Sequence, residues 1–296
     1  MSRSLVVGIG ELLWDLLPDG KVLGGAPANF AYISHVLGAD TRLVTSVGRD
    51  GDGGEALRRL QDVGLTTEYC QRGDFPTGTA GVQLQGGQPH FTITEDVAWD
   101  HIECDEKTRS LTTDADAVCF GTLAQRTPVS RASIQSFVRA TSRECLRIFD
   151  CNLRQNYYSR EALAESLRLA TVAKVNDSEL PIVTALVGCG STAEDVREAF
   201  DLDLVCVTRG EHGCFMAARG ATLDHPGFPA TIVDAIGAGD AFTAAMTHGL
   251  LRSWPLARVA SFANSWGALV ASRRGAMPVV AAEEIAEIVK TAFDLP

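Results

Sequence analysis

Asp240 is the residue whose setting most calls for chemistry. It follows Gly237-Ala238-Gly239 and opens a stretch of small and apolar residues, Ala241 to Leu251, with helical character. Glycines ahead of a helix leave N-terminal N–H groups free, and those donors together with the helix dipole favour an anion. A carboxylate at an anion-binding end would repel phosphate unless it has work to do there. Taking a proton from a hydroxyl while phosphoryl oxygens rest on the amides is such work. Helix capping, which Asp does well, explains the same residues more plainly, and a lone G-x-G-D does not choose between the two.

A second group of polar residues lies far away in sequence. Glu11 and Asp15 follow the first apolar run. Gly24-Gly25-Ala26-Pro27-Ala28-Asn29 puts paired glycines ahead of a proline-opened helix, with Asn29 in its first turn. Asn29 has donors and acceptors suited to sugar hydroxyls, or to neighbouring backbone if it faces inward. Other chemistries lack their residues. No G-x-x-x-x-G-K-[ST] phosphate loop occurs, and Gly8-Ile9-Gly10 lacks the later glycine of a dinucleotide fingerprint. Neither an H-E-x-x-H zinc pattern nor a G-x-S-x-G nucleophile elbow is found.

These groups have to be brought together by a fold, and the chain is long enough for one. It has 296 residues, 46% hydrophobic and 21% charged, as in a globular protein with a sizeable core. The balance of 26 basic to 37 acidic residues, net −11, argues against a nucleic-acid partner. Eight cysteines include no C-x-x-C, and Cys119 and Cys206 sit inside apolar runs, as buried thiols do. A reducing, cytoplasmic setting is expected. The N-terminus reads as a strand and not as a signal peptide, and no apolar run approaches a membrane span.

Short apolar runs at 5–10, 43–47, 117–121, 146–149, 172–175 and 204–208 read as buried parallel strands. Helical patterns fall at 27–38, 55–63, 128–141, 159–170, 179–186, 255–272 and 281–293. At 79–94 the pattern becomes alternating around Gly86-Gly87-Gln88-Pro89, a hairpin signal that suggests a small sheet standing off the main one. The strand–helix order implies a single domain over 1–296: a three-layer αβα architecture with a mostly parallel sheet, and a small β lid from about 11–24 and 72–100. Polar residues recur at 15, 150–154, 176–179, 208–213 and 234–240. Each set is expected at a strand end, so that all share one sheet edge.

With these motifs assembled, the sequence resembles the ribokinase-like (PfkB) family of carbohydrate kinases over essentially its whole length. The likeness rests on Gly24-Gly25-x-x-x-Asn29-x-Ala31 and on Asp234-Ala-x-Gly237-Ala238-Gly239-Asp240. It also rests on Gly48-x-Asp50, Thr77-Gly78, Asp150-x-Asn152-x-Arg154, Asn176-x-x-Glu179 and Thr208-x-Gly210-x-x-Gly213. Ala235 stands where the family usually has threonine. The resemblance implies ATP-dependent phosphorylation of a sugar with Mg²⁺. Asp240 would be the base, and the amides of Gly237, Ala238 and Gly239 would hold the transferring group. Asp15, Gly25, Asn29 and Asn152 would meet the sugar. Asn176, Thr208, Gly210, Gly213 and Asn264 would lie along the nucleotide, with Glu179 organising Mg²⁺ through water. Asp234, Ile236, Val270, Arg273 and Gly275 resemble a backbone site for a monovalent cation, K⁺.

The motif details look most similar to the fructokinase branch, so transfer to a hydroxymethyl group of a ketose, fructose first, is expected. Alternatives are a 2-keto-3-deoxygluconate kinase, another sugar or nucleoside kinase, and a sugar-sensing protein without catalysis. Arg154 is open between a transferring phosphoryl group, a substrate carboxylate and an incidental ion pair. Trp14 and Trp99 are open between sugar stacking and packing. His90 and His212 read as ordinary exposed residues. A homodimer through the lid is also expected.

Overall fold

The computed structural model describes residues 3–18, 20–85 and 88–293. Across the central sheet the strands are β13 (Ala221–His225), β12 (Cys214–Ala218), β11 (Leu204–Thr208), β10 (Val172–Asn176), β9 (Leu146–Asp150), β8 (Ala117–Phe120), β1 (Leu5–Ile9), β4 (Asp40–Gly48) and β5 (Cys70–Gly73). Every neighbouring pair from β11 to β5 is parallel, whereas β12 and β13 form an antiparallel extension. The parallel strands read as unbroken apolar runs because both of their faces are covered. Val6 and Leu43 join one hydrophobic core, while their neighbours Val7 and Val44 join the other.

On the first face lie α1 (Ala26–Val36), α2 (Gly51–Asp62), α8 (Ala238–Leu251), α9 (Leu256–Ala271) and α10 (Ala282–Phe293). On the second lie α3 (Glu106–Asp114), α4 (Pro128–Ala140), α5 (Arg160–Leu169), α6 (Glu179–Val187) and α7 (Ala193–Ala199). From β1 the chain moves outward to β4 and β5, then returns to β8 on the other side. The strand order thus reverses beside β1, which is where open α/β sheets leave a crevice at their carboxyl ends.

A second sheet is formed by β2 (Leu13–Leu17), β3 (Gly20–Gly24), β6 (Gly78–Gln85) and β7 (Gln88–Ile93), in the order β3-β2-β6-β7. The β2–β3 and β6–β7 pairs are antiparallel, and β2–β6 is parallel. The expected hairpin is therefore present, although Gly86 and Gly87 of its turn lie outside the described residues. The small sheet is narrower than the sequence suggested. β5 belongs to the edge of the main sheet, and the buried turn Ala98–His101 packs into the body.

Two further expectations need correction. Asp15 is not at the end of β1; it lies within β2, on the small sheet. The residues before Asp234 form no strand, and Ile232 and Val233, β-branched as they are, stand 57% and 63% exposed. Of the two readings left open for Trp14 and Trp99, packing holds: both are buried, Trp14 beneath Lys21 of the small sheet and Trp99 beneath Arg126 of the body. His212 is exposed, as expected; the side chain of His90 lies outside the described residues. The motifs Gly48-x-Asp50 and Thr77-Gly78 turn out to bind each other. Asp50 caps α2 by accepting from Gly53 N at 2.7 Å and also accepts from Thr77 N at 2.8 Å and Thr77 Oγ1 at 2.6 Å. Among the described residues no helix is long and apolar enough to cross a membrane.

Candidate active site

The first turns of α1 and α8 meet above the crevice. Gly25 is the N-cap of α1 at φ 117°, and an ideal Cβ there would stand 2.4 Å from the carbonyl oxygen of Glu11. Only glycine lets the chain pass this close. The helix it opens carries Asn29, whose Nδ2 donates to Asp240 Oδ2 at 2.7 Å. Asn29 Oδ1 is buried and has no partner among the described residues. Two motifs separated by most of the chain therefore share one hydrogen bond.

Asp240 sits in the first turn of α8, whose N-cap is Gly237 at φ 78°. A Cβ on Gly237 would fall 2.4 Å from that of Ala276. No side chain caps this helix. The Ala238 amide leans on the carbonyl of Ala235 at 3.3 Å, whereas those of Gly237 and Gly239 make no main-chain bond among the described residues. Of the three amides expected to form an anion hole, two are thus free. The carboxyl of Asp240 is pushed up to about 6, by burial first and then by the charge of Asp150; the Asn29 bond, Lys174 and Arg154 pull it back. A group poised there is ionised at neutral pH and still basic enough to accept a proton.

Other carboxylates converge on the same place. Asp15 reaches it from the small sheet and is pushed up to about 6 by burial, with Arg154 opposing and Asp234 adding. Glu11, noted with Asp15 as a carboxylate past the first apolar run but given no role there, is buried with Oε2 unpartnered among the described residues. Burial pushes it to about 7, and it feels both Asp240 and Arg154. Arg154 is exposed, forms no ion pair among the described residues, and has as its partner the carbonyl of Leu153. The incidental ion pair is therefore not what holds it. Asn152 precedes it at φ 46°, in a loop tied down by Thr122 Oγ1, which donates to Cys151 O at 2.7 Å.

Beyond α8 opens a cleft of about 840 Å³. Thr208, Gly210, Gly213 and Asn264 line it, and it runs up to Ala238 and Gly239. Its other wall, Pro226 to Ile232 with Phe242 and the small residues Gly267, Ala268 and Ala271 of α9, was not anticipated. The alanine and glycine content of α9 was the available signal, since small side chains on a helix face leave room for a flat group.

Asn176 and Glu179 are occupied with local structure. Asn176 Oδ1 accepts from Ser178 N, Ser178 Oγ and Glu179 N, starting α6. The buried Glu179 accepts from Leu153 N at 2.7 Å and Asn176 N at 2.9 Å, joining the ends of β9 and β10. Neither stands free in the cleft. Among the described residues no three His, Cys, Asp or Glu side chains gather as a metal site. The segments expected to hold a monovalent cation do meet: Asp234 accepts from Ile236 N at 2.9 Å and Gly275 N at 3.1 Å. The Val270 carbonyl already takes the Arg273 amide at 3.0 Å.

Comparison with known proteins identifies the family. The signature of pfkB family carbohydrate kinases matches residues 19–282. An uncharacterized sugar kinase of Pyrococcus horikoshii is 28% identical over 95% of this chain and 94% of its own. Its crystal structure superposes with a TM-score of 0.85, covering 98% of this chain and 99% of that one. A fructokinase of Escherichia coli is 28% identical over 94% of this chain and 96% of its own. The fructokinase of Vibrio cholerae, solved with fructose, ADP and calcium bound, is 25% identical with a TM-score of 0.80, covering 99% of this chain and 100% of that one.

Proposed function

The chain belongs to the pfkB family of carbohydrate kinases, and from that premise we propose that it transfers the γ-phosphoryl group of ATP to a hydroxymethyl group of a ketose, with fructose as the substrate. One observation carries the reading: the Asp240 carboxylate, oriented by Asn29, stands in the first turn of α8 where the cleft reaches Ala238 and Gly239.

The residues fit the group that would be bound. The cleft is large enough for a nucleotide and ends at an uncapped helix N-terminus with free amides, a setting suited to phosphate. ATP bound there supplies the phosphoryl group and the leaving diphosphate. Asp240 takes the hydroxymethyl proton as the sugar oxygen bonds to phosphorus and the bond to ADP breaks. The Gly237 and Gly239 amides and the unpaired Arg154 face the charge that develops. Asp15, Gly25, Asn29 and Asn152 surround the sugar, and the small sheet covers it against water. Mg²⁺ would arrive with the nucleotide phosphates and be reached through water from Glu179, which keeps a second lone pair on each oxygen. A K⁺ ion between the 234–236 and 270–275 segments would act on the α8 N-terminus through the backbone.

Fructose is favoured by the fructokinase relatives. A second reading, a 2-keto-3-deoxygluconate kinase, is favoured by Arg154, an unpaired guanidinium available to a substrate carboxylate. A panel of sugars assayed by coupled ADP release decides. Fructose giving the highest kcat/KM supports the proposal, and a strong preference for the keto acid overturns the choice of sugar. Turnover with neither it nor any other sugar or nucleoside defeats the kinase reading. The lid-to-lid dimer is kept as part of the proposal on Leu16, 46% exposed on β2, and a monomer by light scattering removes it.

A further inference from the structure

Lys174 stands in the middle of β10, 6% exposed, where a parallel strand normally carries an apolar residue. Burial works against its charge, yet Asp150 and Asp240 hold its ammonium above the ordinary lysine range. Asp150 is its register partner on β9, and the ammonium donates to both carboxylate oxygens, at 3.0 and 3.2 Å. A third bond reaches Asp150 from Thr243 Oγ1 of α8 at 2.7 Å. The same hydroxyl, with its one proton, also lies 2.9 Å from the carbonyl oxygen of Gly239, one turn earlier. An ideal Cβ on Gly239 would lie 3.1 Å from the Lys174 ammonium, so the charge rests directly under the turn that carries Asp240. Neither Lys174 nor Asp150 lines the cleft.

We propose that Lys174, acting through Asp150 and Thr243, is a positioning residue for phosphoryl transfer: the pair pins the first turn of α8 to the sheet and balances the charge that Asp240 experiences. This rests on Asp240 being the base. The groups facing Asp240 come from every neighbouring element. They are Glu11 after β1, Asn29 on α1, the buried thiol of Cys119 on β8, Asp150 on β9, Arg154 in the following loop, and Lys174 on β10. Of these, Asp150 and Lys174 are a fixed pair of opposite sign, so removing either leaves the other uncompensated. Loss of Lys174 makes Asp240 hold its proton to higher pH, and loss of Asp150 makes it ionise at lower pH.

The test follows the Asp240 carboxyl directly. In full-length protein labelled with ¹³C-aspartate, its resonance is assigned by its loss in Asp240→Asn. The resonance is titrated in wild type, Lys174→Met, Asp150→Asn and the double variant, alongside kcat against pH. The expected result is a midpoint raised by about one pH unit in Lys174→Met, lowered in Asp150→Asn and returned close to wild type in the double variant. If a single variant does not fold, the double variant and the other single carry the comparison, because the double has no unpaired buried charge. Midpoints equal in all folded proteins, or moved in the same direction, overturn the proposal even where melting temperatures fall. Thr243→Val keeps the ion pair and should lower kcat at unchanged KM for sugar; an unaltered kcat overturns the pinning. Midpoints that move as stated in a protein that phosphorylates no sugar would uphold the coupling and defeat the kinase reading.

Discussion

Replacing Asn29 by leucine tests how the two helix starts cooperate. The change keeps the size of the side chain and removes the Nδ2 donor that lies 2.7 Å from Asp240. A hydrogen bond to a charged group is worth about 1.5–3 kcal/mol. Because it favours the ionised form, its loss should raise the Asp240 pKa by about 1–2 units at 1.36 kcal/mol each. Starting from a value of about 6, the acid limb of kcat should move to about pH 7–8. At pH 7 the ionised fraction would fall from about nine-tenths to between a half and a tenth, so kcat drops about two- to tenfold and recovers at higher pH. Stability should change little, because the unpartnered buried Oδ1 disappears together with the bond. The assay is steady-state kcat against pH with saturating sugar and ATP, with a melting curve as control. An acid limb that stays in place while kcat falls equally at all pH values would refute the reasoning and leave Asn29 with the sugar alone.

Asp240→Asn should lower kcat by about 10²–10⁴-fold while calorimetry still registers ATP binding. The folded pKa of Asp240 is raised above its ordinary 3.8, so its contribution to stability falls as pH rises from about 4 to 6. Above about pH 6 the Asn variant should therefore be more stable than wild type, by about 1 kcal/mol after solvent screening, in urea titrations. Ala268→Phe fills the α9 wall of the cleft and should raise the KM for ATP about tenfold or more with little effect on that for sugar, from an overpacking cost of about 1–3 kcal/mol. Arg126→Met strands the buried Asp100, which now receives two bonds from the guanidinium at 2.7 and 2.6 Å. A loss of about 3–5 kcal/mol in urea unfolding is expected, away from the chemistry.

The central sheet was readable because its parallel strands are covered on both faces and so appear as plain apolar runs, as in Ala117–Phe120 and Leu204–Thr208. The β12–β13 hairpin was passed over because its two-residue turn, Arg219-Gly220, is flanked on one side by an exposed strand with little apolar content. Ile232 and Val233 misled for the opposite reason. Their β-branched side chains suggest a strand, yet they lie on a loop at the cleft rim. Within the site, the glycine turns and Asp240 were legible because their spacing is local. Glu11 was legible only as a carboxylate past the first strand and Lys174 not at all, since their meaning comes from charges met across the fold. Asn176 and Glu179 were legible as a motif, but spacing alone does not reveal that their oxygens are already committed to backbone amides.

Positions 237 and 276 share a space barely one methyl wide. Ala276 is 1% exposed and has nowhere to retreat. The loop after α9 thus serves as a gauge block for the start of α8: a Cβ at 237 would also stand 2.6 Å from the Cα of residue 276, so trimming Ala276 would make no room for it. Natural variation should keep glycine at 237, whose φ is 78°, and nothing larger than a methyl at 276, and redesign of the cleft floor should begin from side chains that do not touch this pair.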